Sequence, residues 1–80
     1  MDAQVVSSID VIACAMAIET GRGDGWPLHR LLMVRTGAPM GQCIAASRLA
    51  IAESLIVMRT PRDVVVTEAG LRLLSELAEA

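Results

Sequence analysis

All of the positive charge in this chain comes from arginine, and most of it sits in the middle. Residues 30–62 set Arg30, Arg35, Arg48, Arg59 and Arg62 against Glu53 alone, a balance of +4. The flanks reverse the sign. Residues 1–29 hold Asp2, Asp10, Glu19 and Asp24 against Arg22, and residues 63–80 hold Asp63, Glu68, Glu76 and Glu79 against Arg72, so each carries −3. A guanidinium is planar, permanently charged and forked in a way that fits a phosphate or the edge of guanine. The segregation therefore marks the middle segment for anion recognition, although the whole chain is −2. Within it, Arg59 and Arg62 flank Pro61, and a basic pair at a loop tip is placed for contact.

Other chemistry finds little footing. His29 is the only histidine, it has no recognisable nucleophile pattern around it, and no pair of carboxylates stands at a catalytic spacing, so the chain is not expected to be an enzyme. Thr20-Gly21-Arg22-Gly23-Asp24-Gly25 is rich in glycine, but Trp26-Pro27 follows where a phosphate loop needs Lys-Ser/Thr, so it reads as a surface connection. Cys14 and Cys43 lack CxxC spacing and are too few for a disulfide scaffold; with one histidine beside them, neither a metal nor a cofactor is expected. Buried structural thiols in a reducing cytoplasm are the reading that fits.

The elements that must position these residues follow from pattern. Ser7 and Asp10 form a capping box at the start of a helix running from about Ser7 to Glu19, with Ile9, Ile12, Ala13, Cys14 and Met16 making it apolar over much of its circumference. Pro27 opens a second helix through Leu28, Leu31, Leu32 and Val34 to a stop at Gly37, and Pro39 opens a third to about Glu53 or Ser54. Leu55-Ile56-Val57-Met58 and Val64-Val65-Val66 are strand-like runs separated by Arg59-Thr60-Pro61-Arg62-Asp63, a hairpin turn. Thr67 then caps a final helix, Glu68 complements its positive end, and Leu71, Leu74 and Leu77 supply an apolar face.

Eighty residues make one domain, 1–80, with a core that must be aliphatic because Trp26 is the sole aromatic. Trp26 is expected as a lid over the first two helices. Apolar residues reach 54%, more than so small an interior hides, which points to a homodimer or partner interface. Met16, Met33 and Met58 read as core or interface filler, and Met40 as a partner contact. The run Val11 to Ile18 is too short to span a bilayer, and no export signal precedes it.

Three helices, a two-stranded hairpin and a C-terminal helix make an α+β, mostly helical chain. Its last third, above all Val65-Val66-Thr67-Glu68-Ala69-Gly70-Leu71-Arg72-Leu73-Leu74, resembles the segment that enters the helix after the wing in small winged helix-turn-helix domains of MarR-like and related bacterial or phage regulators. The resemblance implies a DNA-binding transcriptional regulator, with the third helix in the major groove and the wing on the neighbouring backbone. By position it assigns Gln42, Ser47 and Arg48 to base edges or phosphates, Arg59 and Arg62 to the wing contact, and Arg30 and Arg35 to phosphates. Such sequences place a glycine before the first wing strand, where this chain has Ser54.

Aligning Leu55 with that family turns Cys43, Ala46, Ser47 and Ala50 inward and leaves Ile44, Ile51 and Leu49 facing out. An outward face of that kind suits protein better than a groove of DNA. The alternative reading is accordingly a winged-helix protein-interaction module, such as a phage or bacterial regulator that occupies a host factor, with Ile44, Ile51 and Met40 at the interface. A subunit covered by a larger assembly is a third.

Overall fold

Helix α1 (Ser8–Glu19) begins on the capping box: the Ser7 hydroxyl accepts from the Asp10 amide at 3.3 Å, and the Asp10 carboxylate accepts from the Ser7 amide at 3.1 Å. This computed structural model describes residues 6–79, in which α1 is followed by α2 (Leu28–Thr36), α3 (Met40–Ala52), a hairpin of β1 (Ile56–Thr60) and β2 (Asp63–Val66), and α4 (Glu68–Glu79). Pro27 and Pro39 stand just outside α2 and α3 in extended conformation, as residues that cannot donate an amide and fix the chain before a helix. Gly37 ends α2 in the left-handed region at φ 76° and donates its amide to the Met33 carbonyl at 2.9 Å, so α3 follows after a turn of three residues.

The hairpin pairs Ile56 with Val66, Val57 with Val65 and Met58 with Val64, then slips so that Thr60 faces Asp63. Arg59 is the extra residue of that bulge. The first strand therefore starts at Ile56 and continues through Thr60, later at both ends than the expected Leu55–Met58. Pro61 and Arg62 alone form the turn, so the proline breaks no ladder bond. Alternation sends Ile56, Val64 and Val66 into the core and leaves Val57 and Val65 exposed.

Helix α1 is central, packed by α2, α3, β2 and α4. Its Val11, Ile12 and Ala15 are fully buried with Leu28 and Leu32 of α2, Cys43 of α3, and Ile56 and Val64 of the hairpin. Glu19, at the end of α1, accepts the outward amide of Val66 at 3.0 Å, so a side chain satisfies a strand edge that has no third strand beside it among the described residues.

The junction into α4 is built by three residues. Ser54 takes a left-handed φ of 61°, ending α3 without the glycine usual for that conformation. Thr67 donates its hydroxyl to the Ser54 carbonyl and accepts the Gly70 amide at 3.1 Å, capping α4 as its type suggests. Gly70 faces the Leu55 carbonyl so closely that any side chain would overlap it. That approach fixes the rotation of α4, with Gly70, Leu73 and Leu74 inward and Leu71 and Leu77 about half exposed. The expected Leu71-Leu74-Leu77 face is thus split. Among the described residues, no helix is long and apolar enough to cross a membrane.

Candidate interaction surface on the third helix

Helix α3 carries two stripes. Cys43, Ser47 and Ala50 face the core, while Met40, Ile44, Arg48 and Ile51 run along the neighbouring side at spacings of one helical turn. Met40 is 48% exposed and Ile51 39%, with Ile44 half-buried between them. The outward stripe forms one wall of a groove of about 370 Å³, which Ile44, Arg48 and Ile51 share with His29 of α2 and with Met58 and Pro61 of the hairpin. A second hollow of about 310 Å³ continues from His29 past Arg30 to Met40. The hairpin tip is held at the end of the groove because the Leu28 amide donates to the Pro61 carbonyl at 2.7 Å.

The residues assigned to DNA do not gather on this surface. Ser47 is 5% exposed and donates its hydroxyl to the Cys43 carbonyl at 2.9 Å, so it is a core residue and not part of an outward reading face. Gln42 is half-buried, with its Oε1 closed off from solvent, which corrects its placement on the exposed side. Arg35 reaches back to the Asp10 carboxylate at 2.9 Å. Arg62 donates from Nε to the Gly25 carbonyl at 2.8 Å, tying the hairpin turn to the glycine-rich connection. Arg59 lies 3.9 Å from Asp63 in an exposed pair. Arg30 lies over the Trp26 ring at 4.7 Å, and that ring is 39% exposed, so Trp26 is a surface platform and not the expected core lid. Of the assigned set, Arg48 and the buried Ser47 line the groove, and Arg48 is the charged one, with no partner among the described residues.

Of the residues named from sequence, Ile44, Ile51 and Arg48, the last assigned to DNA, line this groove and Met40 lines the hollow beside it, whereas His29, Met58 and Pro61 were not assigned to it. Nothing in their types distinguishes them. Their role depends on the Leu28–Pro61 hydrogen bond, a contact between distant segments.

Two titratable groups lie behind the surface. Burial alone would push the Asp10 carboxyl up, but hydrogen bonds from the Ser7 amide, Arg35 and the Ser7 hydroxyl outweigh it and hold the group below its ordinary value. Burial raises the Cys14 thiol to about 11, which keeps it protonated and unreactive. Cys43 is fully buried, its thiol 3.7 Å from the Ala38 carbonyl. Among the described residues, no three His, Cys, Asp or Glu side chains come together as a metal site. No family model matches this chain, and no curated protein or solved structure gives a significant match to it.

Proposed function

We propose that this chain is a winged-helix module whose third helix binds protein. The observation that carries the reading is the groove along Ile44, Arg48 and Ile51. A helix that reads DNA presents polar donors and acceptors to base edges, with apolar contact limited mainly to thymine methyls. Here the outward stripe has one charged residue and three apolar ones, while Ser47 is turned inward. Burying that stripe against an apolar partner removes it from water and contributes about 25 cal/mol per Å² covered. The free, buried thiols suit a reducing cytoplasm. The half-exposed Leu71 and Leu77 of α4 offer a second copy a packing surface away from the groove, consistent with a homodimer.

The test is affinity capture with the wild-type chain and the Ile51→Asp variant in parallel, followed by reconstitution from purified components. A protein retained by the first, lost by the second and bound again when purified supports the reading. If reconstitution fails while duplex DNA binds and Arg48→Ala releases it, the reading is wrong.

DNA-directed regulation is the second reading, and the concentration of arginine in residues 30–62 favours it. It would rest on Arg48 and the exposed Arg59. Its mark would be a steep fall in affinity as salt rises, flattened in Arg48→Ala/Arg59→Ala.

A further inference from the structure

The groove also constrains the chemistry of its occupant. Resting on the protein-binding reading, we infer that it takes an amphipathic helix of another protein whose apolar stripe is flanked by carboxylates. Ile44 and Ile51 are seven residues apart on α3, about 10 Å along the axis. Two apolar anchors at that separation match side chains two turns apart on a partner helix, the pattern by which helices lie in grooves. An extended peptide is served less well. Pro61 has no amide to offer, and its carbonyl already accepts from Leu28, so the turn that closes the groove offers a peptide no main-chain pair.

The charge on the rim sets the partner's sign. Arg48 lies between the two isoleucines, and across His29 the second hollow adds Arg30, whose guanidinium engages only the Trp26 ring. Among the described residues, no carboxylate lines either hollow. The chain's other mid-segment arginines differ, since Arg35 is paired with Asp10, Arg59 with Asp63, and Arg62 is held by the Gly25 carbonyl. Covering Arg48 with a partner strips its water, and an arginine in that position is best matched by a carboxylate that accepts two parallel hydrogen bonds. Glutamates beside the partner's apolar stripe would meet Arg48 and Arg30, and lysines there would be repelled.

Two synthetic helices of about 18 residues test this with the full chain. Both carry the same leucine stripe; one has glutamate on its flanks and the other lysine. Amide-resolved NMR titration should show the glutamate peptide moving the signals of Ile44 to Ile51 and Met58, and binding at least about tenfold tighter than the lysine peptide. Arg48→Glu should reverse the preference. Ile51→Asp, at a partly exposed position, should abolish both complexes while the spectrum stays folded. Equal affinity, or preference for lysine, overturns the acidic partner yet leaves protein binding standing. If neither peptide moves these signals while duplex DNA does, both readings fall. Concentration-dependent shifts of the same residues without peptide would make a second copy the occupant and overturn this inference.

Discussion

The Thr67 hydroxyl donates to the carbonyl of Ser54, and so the cap of α4 also holds the residue that ends α3. Ser54 is bound into a left-handed conformation that costs a non-glycine residue ~1–2 kcal/mol. Ser54→Gly removes that strain and keeps the carbonyl. Part of the gain is returned through the greater freedom of glycine in the unfolded chain, leaving ~1 kcal/mol of added stability. Urea unfolding should show a higher midpoint with an unchanged slope. A lower midpoint would mean that the Ser54 side chain itself matters.

Gly70 and Gly41 should respond oppositely to alanine. A methyl group on Gly70 would overlap the Leu55 carbonyl and come within 2.8 Å of the Val66 side chain, forcing α4 away from the hairpin. A loss above ~2 kcal/mol is expected. Gly41 lies in α3 with nothing within 4 Å of an added carbon, and there alanine should add up to ~1 kcal/mol through helix propensity. Thermal melts of the two variants should move apart from the wild type in opposite directions.

Much of this arrangement is legible in the sequence because it is local. The Ser7–Asp10 box, the Gly37 stop and the Thr67 cap each bond to backbone within four residues, so residue type and spacing suffice to place them. Ser47 received two places from the sequence, inward with Cys43 and Ala50 by the register from Leu55 and outward by its polarity, and the inward one holds. A serine within a helix can return its hydroxyl to the carbonyl four residues back and then be buried, so polarity alone does not place it outside. The splitting of the α4 leucines was also out of reach, because their rotation is set by the Gly70–Leu55 approach. The arginines were readable as charges but not as partners. Arg35 finds Asp10 across 25 residues and Arg62 finds Gly25 across 37, separations no local pattern reports.

Acid should weaken the fold through Asp10. Its folded-state value lies below the ordinary one, so its contribution is fully present above the unfolded value of about 3.9 and is lost as pH falls through the folded value. Unfolding midpoints measured from pH 6 down to pH 2 should fall for the wild type. Asp10→Ala should start lower by ~1 kcal/mol, from the lost cap and ion pair, and decline less steeply below pH 4. Parallel curves would place the acid sensitivity elsewhere.

Thiol reagents should find the native chain inert. At pH 8 the Cys14 thiol, raised to about 11, is almost wholly protonated as well as buried, and Cys43 is fully enclosed. Ellman's reagent should react slowly with the folded protein and rapidly with both thiols in denaturant. Prompt reaction of either thiol in the native state would mean that the α1–α3 contact opens readily.

The most direct test of the α3 surface is an amide-resolved NMR titration of the full chain with a random duplex of about 20 base pairs at physiological salt, where non-specific binding is already weak. If α3 docks protein, the signals from Ile44 to Ile51 stay in place while the acidic leucine peptide moves them. If the duplex shifts those same signals saturably, with an affinity that falls steeply as salt rises, α3 reads DNA and the protein-binding account is contradicted.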